Sequence, residues 1–177
     1  DLTIMEQNLP YKVQRLFIFL FLACVVTSYA QDTQKEINEQ VWRPFIKNFN
    51  ENNTAGFMAV HSKDAVRSPR DQKAIWNWDK YNRQQALSDA DDAKENRKRI
   101  LELRFTERFA NGNLAFNVGI YKTTYVLRDG KTQHYFGRFH VVLRKENGIW
   151  KILVDTDSTE GLSIGEKDFL AATPLEE

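Results

Sequence analysis

The sequence predicts an α+β fold in which N-terminal helices pack against a curved antiparallel sheet. Apolar residues recur at four-residue spacing early in the chain, which is the period of an amphipathic helix. After Ile100, apolar and polar residues alternate, as in a strand with one buried face. Three turn dipeptides, Asn111-Gly112, Asp129-Gly130 and Asn147-Gly148, separate the β-rich runs. Helices and strands segregated along the chain are typical of α+β domains.

The composition fits one folded domain and excludes several classes of protein. The 177 residues are 42% hydrophobic and 12% aromatic, as expected for a globular domain. The chain has 25 basic and 24 acidic residues, so its net charge of +1 gives no strong electrostatic attraction for nucleic acid. The sequence also lacks a nucleophile-elbow motif, a phosphate-binding loop and a dinucleotide fingerprint. We therefore expect no nucleic-acid partner and no cofactor.

Residues 5–30 have the pattern of a cleavable export signal. Lys12 and Arg15 precede an uninterrupted apolar run over residues 16–26, and a small-residue cleavage pattern ends at Ala30. That run is too short to span a bilayer core of about 30 Å at about 1.5 Å per residue. We expect cleavage after Ala30, a secreted or periplasmic location, and no membrane contact afterwards.

Cys24 leaves one alternative open, because a cysteine that ends an apolar stretch can accept a lipid anchor. The residues before it, Phe21-Leu22, fit a lipoprotein cleavage site poorly. Cys24 is the one cysteine in the chain. Cleavage after Ala30 would therefore leave a domain without disulfides or cysteine metal ligands.

The helical segments come first in the mature chain. Thr33 and Glu36 have capping-box spacing, and the helix they begin carries an apolar stripe of Ile37, Val41, Trp42, Phe45, Ile46 and Phe49. Pro44 lies inside this stripe and is expected to kink the helix rather than end it. The run Asn52-Asn53-Thr54 predicts a break and a second short helix through Val60, with Phe57 and Met58 buried.

A short strand over residues 65–67 and a third helix are predicted next. Ser68-Pro69 has the pattern of a helix N-terminus, and Ile75, Trp76 and Trp78 follow it. Residues 83–99 contain nine charged side chains and are interpreted as a solvated helix or loop, with a docking surface as the alternative.

Four antiparallel strands are expected at residues 101–109, 114–127, 132–145 and 149–157. Two of them are long enough that we expect them to bend around the core, and Gly119 and Gly137 are the expected positions of a bend or bulge. Residues 161–177 are interpreted as a C-terminal tail.

Two parts of the chain resemble SnoaL-like domains. The first runs from Val41-Trp42 through Phe57-Met58-Ala59-Val60 to Asp64-Ala65-Val66. The second resembles the ketosteroid-isomerase-like branch of this group, and its motifs are Asn113-Leu114-Ala115, Gly119-x-Tyr121, Asp129-Gly130-Lys131, Gly137-Arg138-Phe139 and Asn147-Gly148-x-Trp150. The larger superfamily is named after nuclear transport factor 2. The charged insert at residues 83–99 departs from the pattern.

The resemblance implies a cone-shaped, cystatin-like α+β domain over residues 32–160, with a short extra strand and a pocket inside the cone. It also implies a homodimer packed through the sheet. It does not imply one activity, since similar proteins include isomerases, polyketide cyclases, dehydratases and modules without chemistry.

Candidate catalytic residues lie on the second and the last of these predicted strands. Asp155 in an apolar cone could act as a general base, with Tyr121 or Tyr125 as the donor to a developing enolate oxygen. Asp155-Thr156-Asp157-Ser158 is also a good turn sequence, and we favour the turn interpretation for Asp157.

Candidate ligand-binding residues are Arg138, His140, His134 and Trp42. The parity of a strand places Arg138, His134 and His140 on one face, where the arginine could bind a carboxylate. A solvent-facing arginine is the favoured interpretation. The two histidines are too far apart to hold one metal ion, so no metal site is expected. The four tryptophans are interpreted mostly as core residues, and ligand stacking, the role considered for Trp42, is the alternative.

Three functions are compatible with these residues. The favoured one is an exported module that binds a small hydrophobic or carboxylated ligand. The alternatives are a ketosteroid-isomerase or cyclase-like enzyme that uses Asp155, and a structural dimerisation domain.

Overall fold

The computed structural model describes residues 32–175, and in this range the N-terminal helices pack against one face of a curved sheet. Residues 32–37 are helical and continue into a π-helical segment, Asn38–Trp42, and helix α1, Arg43–Asn50. The Arg43 N–H donates to the Asn38 carbonyl, five residues earlier. Proline has no N–H to donate, so a shift of hydrogen-bond register just before Pro44 lets the helix continue. The prediction that the helix runs past Pro44 is confirmed.

Helix α2, Thr54–Ala59, follows the predicted break. The Asn53 side chain caps it by accepting a hydrogen bond from the Gly56 N–H at 3.1 Å. Phe57 and Met58 are buried, as the sequence predicted.

The segment after α2 differs from the prediction. Strand β1, His61–Pro69, is longer than expected, and a 3₁₀ turn, Arg70–Gln72, and a short strand β2, Trp76–Asn77, separate it from helix α3, Trp78–Lys94. The predicted helix start at Ser68-Pro69 is wrong. Pro69 ends β1, where a residue without an N–H is tolerated, and the Asn77 side chain caps α3 by accepting from the Lys80 N–H.

Four long strands form the body of the sheet: β3, Lys98–Asn111, β4, Leu114–Val126, β5, Thr132–Glu146, and β6, Ile149–Ser158. Each predicted turn dipeptide joins two of them, and the meander β3-β4-β5-β6 is antiparallel. The strand count is a correction, because the described residues form seven strands in the order β2-β1-β6-β5-β4-β3-β7 rather than four. The sheet is also mixed, since β1 runs parallel to β6.

A β-bulge bends the sheet opposite Gly119, where the register of β3 shifts between Phe105 and Glu107. A side chain on Gly119 would collide with the Arg104 carbonyl oxygen and the Phe139 ring. Glycine therefore lets the bulged strand and the core ring approach this point, as the sequence predicted.

The C-terminal segment, interpreted from sequence as a tail, contains helix α4, Glu166–Ala171, and strand β7, Thr173–Pro174, which pairs with β3. Phe169 and Ile164 are buried against Ile120 and Phe136. This contact lies on the face of the sheet opposite the N-terminal helices. Burial of these apolar side chains thus attaches the segment to the domain. The sequence did not predict a helix or a strand in residues 161–177.

The main core lies between the first helix and the concave face of the sheet. It consists of Ile37, Val41, Trp42, Val60, Leu101, Leu103, Phe105, Ala115, Phe139, Val141, Leu143, Trp150 and Ile152. Among residues 32–175, no helix combines the length and apolar character needed to cross a bilayer. The predicted export signal, residues 5–30, lies outside the described residues.

Candidate functional site

A cavity of about 710 Å³ lies between the helices and the concave face of the sheet. Its base is formed by buried apolar residues: Trp42, Phe57, Leu101, Leu103, Phe139 and Val141. Exposed polar residues and one tyrosine line its mouth: Gln72, Gln84, Ser88, Gln133 and Tyr135. The buried part of the lining is therefore mostly apolar, and the exposed part is mostly polar.

An Asp–Arg–Asp cluster forms part of the cavity wall. Arg67 on β1 lies opposite Asp155 of β6 in the parallel register, and Pro69 lies opposite Asp157. Arg67 Nη2 is 2.8 Å from Asp157 Oδ2, and Nη1 is 3.5 Å from Asp155 Oδ1. One guanidinium therefore bridges two carboxylates that project from the same strand.

Asp155 is held inside this cluster as an ionised carboxylate. The Tyr81 hydroxyl of α3 donates to Asp155 Oδ2 at 2.9 Å, and His61 Nε2 lies 3.8 Å from the same oxygen. Burial by itself raises the pKa of Asp155, but the Arg67 guanidinium, His61 and Tyr81 outweigh it and lower that pKa to about 2. Burial and the neighbouring Asp155 charge in turn raise the pKa of the Tyr81 hydroxyl well above its usual value.

His61 supports the cluster from the side of the protein interior. Its Nδ1 lies 3.0 Å from the Phe57 carbonyl oxygen, and because a carbonyl only accepts, Nδ1 carries a proton. Nε2 is buried and has no hydrogen-bond partner among the described residues. The structure places His61 at the start of β1.

Asp157 differs from Asp155 in both exposure and pKa. Its side chain is 28% exposed, against 10% for Asp155. Burial raises the pKa of Asp157 above its usual value, although Arg67 opposes the change. Asp157 is part of strand β6, so the interpretation of this residue as a turn residue is wrong.

Tyr121 and Tyr125 both line the cavity from β4, so the structure brings them to the same cavity as Asp155. Burial raises the pKa of Tyr121, and the charges of Asp157 and Asp71 raise it further. Burial is also the largest cause of the raised pKa of Tyr125. Both tyrosines are therefore neutral hydroxyl groups that can donate hydrogen bonds into the cavity.

Trp42 lies at the base of the cavity, and its indole is nearly fully buried. Its Nε1–H donates to Asn117 Oδ1 at 2.9 Å, so the polar end of the ring is satisfied inside the protein. The rings of Phe45, Phe105 and Phe139 contact it. Trp42 therefore offers an apolar ring surface rather than a hydrogen bond to a ligand.

The other three candidate ligand-binding residues do not line this cavity. Cavity-lining positions of β5 are odd-numbered, which places His134, Arg138 and His140 on the opposite face of the sheet. His134 Nδ1 lies 2.9 Å from the Thr124 hydroxyl, and Arg138 pairs with Glu160 at 3.1 Å. Sequence parity grouped the three correctly, but it does not say which face of the sheet the helices cover.

Sequence reasoning missed Arg67, Tyr81 and His61. The alternation Val66, Arg67, Ser68 is a strand signal that would have placed Arg67 and its neighbours on opposite faces. The contact between Arg67 and Asp155 spans 88 positions and depends on a parallel pairing for which the sequence has no local signal. Within residues 32–175, no cluster of three or more histidine, cysteine or carboxylate side chains has the arrangement of a metal site.

Comparisons with known proteins find solved structures with a similar fold but no match by sequence. No protein-family model matches the chain, and no curated protein matches it by sequence. A nuclear transport factor 2-like superfamily protein from Salmonella enterica matches the structure with 21% identity and a TM-score of 0.59, over 72% of this chain and 91% of that one.

Two further solved structures give the same result. An NTF2-like protein of unknown function from Shewanella oneidensis is 16% identical, with a TM-score of 0.56 over 70% of this chain and 97% of that one. The protein Aln2 from a Streptomyces species is 10% identical, with a TM-score of 0.60 over 74% and 93% of the two chains. Likeness at these identities shows the fold alone. The described part of the chain, residues 32–175, therefore has the cone-shaped fold of the nuclear transport factor 2-like superfamily.

Proposed function

We propose that the domain binds a small amphipathic organic molecule in its cavity and releases it unchanged. The observation that carries this proposal is the gradient along the cavity, from the apolar base at Trp42 and Phe139 to the polar mouth at Gln84 and Gln133. The volume of about 710 Å³ falls in the range of small-molecule sites. A ligand that inserts its apolar end would bury hydrophobic surface and keep its polar end near the opening.

The state of Asp155 favours binding over catalysis by that residue. A general base works best when its pKa lies near the pH of the reaction. Arg67 and Tyr81 instead stabilise the ionised form of Asp155, and its pKa of about 2 makes it a weak base. The cluster therefore supports a structural role for Asp155 in fixing the guanidinium.

A matched pair of double variants tests binding at this cavity. Gln84→Trp with Gln133→Trp adds bulk at two exposed positions that line the mouth. Arg83→Trp with His134→Trp adds the same bulk at the adjacent positions, which do not line it. We expect a naphthalene-based fluorescent probe to bind the parent protein and the second double variant, and to bind the first at least about tenfold more weakly. Equal binding by both double variants would contradict a site in this cavity.

A second candidate function follows from the two carboxyl groups, because the pKa of Asp155 is lowered and that of Asp157 is raised. Paired carboxyl groups with separated pKa values often divide acid and base roles. Asp157, with its raised pKa and greater exposure, is a better base than Asp155, and Tyr121 is a neutral donor on the same wall. This enzyme would exchange the α-protons of a ketone with solvent deuterium, detected by NMR. Loss of the exchange in Asp157→Asn would support the enzyme, whereas no exchange with the parent protein would leave binding as the function.

Two further parts of the proposal concern the location and the assembly of the protein. We propose that the domain acts after export, as the pattern at residues 5–30 indicates. We also propose a homodimer through the outer face of the sheet, where α4 covers Ile120 and Phe136 but leaves Phe109 and Leu114 more than half exposed. Sedimentation at several concentrations would test the dimer.

A further inference from the structure

We propose that the polar end of the ligand is a cation, such as a protonated amine, that lies beside the carboxylate of Asp157. This inference rests on the proposed function, because it assumes that the cavity is a binding site. Its basis is the arrangement of charges and aromatic rings in the cavity wall.

The Asp–Arg–Asp cluster of Asp155, Arg67 and Asp157, the inner cluster, contains two carboxylates and one guanidinium group. Asp155 and Asp157 share the single guanidinium of Arg67, at 3.5 Å and 2.8 Å. With each group ionised, the three side chains sum to one negative charge. Asp155 also has His61 Nε2 at 3.8 Å, whereas Asp157 has, within residues 32–175, Arg67 alone. A cation beside Asp157 would supply the counter-charge that stabilises a buried carboxylate.

A second cluster at the edge of the cavity has the same imbalance. Arg97 lines the cavity and pairs with Asp91 at 2.5 Å and Asp92 at 2.6 Å. Arg99 pairs with Asp92 and with Asp89. Two guanidinium groups thus face three carboxylates. In each of the two clusters the carboxylates outnumber the guanidinium groups by one, and such an excess of negative charge favours cations over anions.

Asp157 is the carboxylate that a ligand can reach. Among the described residues, its side chain has one hydrogen-bonding or ion-pairing partner, Arg67, which contacts Oδ2. Asp155 is more enclosed and is also bonded to Tyr81. Asp71, which accepts hydrogen bonds from the Ser158 hydroxyl and the Thr159 N–H, adds negative charge near the end of the same strand.

Aromatic rings in the wall provide favourable surfaces for a cation. The guanidinium of Arg67 lies 5.4 Å from the ring centroid of Tyr81, and that of Arg97 lies 5.6 Å from the centroid of Tyr125. Tyr121 lines the same wall as Asp157. The electron-rich face of a tyrosine attracts cations, and more strongly where water is excluded.

The same arrangement disfavours an anionic ligand. Arg67 and Arg97 are the basic residues in the lining of the described cavity, and both are already paired with two carboxylates. Arg67 Nε is buried without a hydrogen-bond partner among residues 32–175. That N–H can donate a hydrogen bond to a neutral acceptor, such as a hydroxyl group next to the amine. It does not attract an anion, because the positive charge of Arg67 is already paired with two carboxylates.

Three probes that share a naphthalene ring and differ in charge test whether the site prefers a cation. 1-Naphthylmethylamine is a cation at neutral pH, 1-naphthalenemethanol is neutral, and 1-naphthoic acid is an anion. Binding would be measured by isothermal titration calorimetry with the purified full chain and with Asp157→Asn. Glu160→Gln is the matched control, because Glu160 also pairs with an arginine, Arg138, but on the outer face of the sheet.

We expect the amine to bind at least about tenfold more tightly than the alcohol, and the acid to bind most weakly. Asp157→Asn should remove the preference for the amine and leave the affinity for the alcohol within about twofold, whereas Glu160→Gln should retain the preference. Equal binding of all three probes, or tightest binding of the acid, would overturn the cation while leaving the proposed binding function intact. Failure of all three to bind would contradict the proposed function itself.

Asp157→Asn also changes a partner of Arg67, so folding of the variant has to be measured by circular dichroism. Asp157→Glu keeps the charge and is expected to restore the preference for the amine. Should Asp157→Asn fail to fold, the salt dependence of the parent protein decides the question. Affinity for the amine should fall as ionic strength rises while affinity for the alcohol does not, and parallel behaviour of the two would overturn the proposal.

Discussion

The ring of Tyr121 lies across the backbone of Gly137, so that a β-carbon on Gly137 would stand 2.5 Å from both Cζ and the hydroxyl oxygen of Tyr121. The two residues are paired between β4 and β5. Gly137 was expected from sequence to mark a bend or bulge, and no register shift occurs there. The missing side chain instead makes room for a tyrosine of the cavity wall.

Gly137→Ala is therefore expected to displace Tyr121. We expect a loss of about 1–3 kcal/mol in the free energy of unfolding, as for other overpacked sites, together with weaker probe binding. Gly165→Ala is the matched control, because a β-carbon there meets nothing within 4 Å. Urea denaturation in a Tyr121→Ala background completes the test, since the cost of Gly137→Ala should largely disappear there. An unchanged cost in that background would contradict the contact.

Asp155→Asn should destabilise the fold. The substitution leaves Arg67 and Tyr81 facing a neutral amide in a buried site, and breaking a buried ion pair costs about 3–5 kcal/mol. Asp64→Asn is the control: Asp64 also pairs with an arginine, Arg144 at 2.7 Å, but is 73% exposed, so its loss should cost under about 1 kcal/mol. Equal effects of the two substitutions in urea denaturation would show that the Asp155 pair is not buried in solution.

The stability contributed by Asp155 should depend on pH in a defined window. Its folded-state pKa of about 2 lies below the unfolded value of about 3.9, so the folded state binds the proton less readily. The stabilisation, on the order of 2 kcal/mol, is complete above about pH 4 and is lost as the pH falls through about 2. The difference in unfolding free energy between the parent protein and Asp155→Asn should shrink over that interval. A difference that is constant with pH would mean that Asp155 is not held ionised.

The C-terminal segment should contribute to the stability of the domain. Phe169 is 4% exposed and packs on Phe136, whereas its neighbour Leu170 is 60% exposed. Phe169→Ala is expected to cost about 3 kcal/mol, and Leu170→Ala less than about 0.5 kcal/mol. The two variants differ by one position on the same short helix, so similar melting temperatures would contradict the packing of α4 on the sheet.

The antiparallel part of the fold follows from local signals in the sequence. The dipeptides Asn111-Gly112, Asp129-Gly130 and Asn147-Gly148 need no long-range information, because these residues adopt the backbone conformations of tight turns. The start of α3 was misplaced because Ser68-Pro69 and Asn77 are both plausible helix starts. Only the pairing of β1 with β6 excludes the first.

The candidate site was predicted in part. Asp155, Tyr121 and Tyr125 were identified by residue type and strand position, and all three line the cavity. Arg67 was not identified, because its contacts depend on a parallel pairing of strands that are far apart in the chain. The side of the sheet that faces the helices also depends on packing rather than on strand periodicity, and this is why the sequence left open which face Arg138 occupies.

Native mass spectrometry tests the central claim most directly. The protein would be purified under gentle conditions from its expression host, beside the Gln84→Trp, Gln133→Trp double variant. We predict an additional dissociable mass on the parent protein that is absent or strongly reduced on the double variant, because the ligand occupies the cavity between Trp42 and the polar mouth. A parent protein that carries no such mass, and that also fails to take up the naphthalene amine, alcohol or acid when these are added, would contradict the binding function.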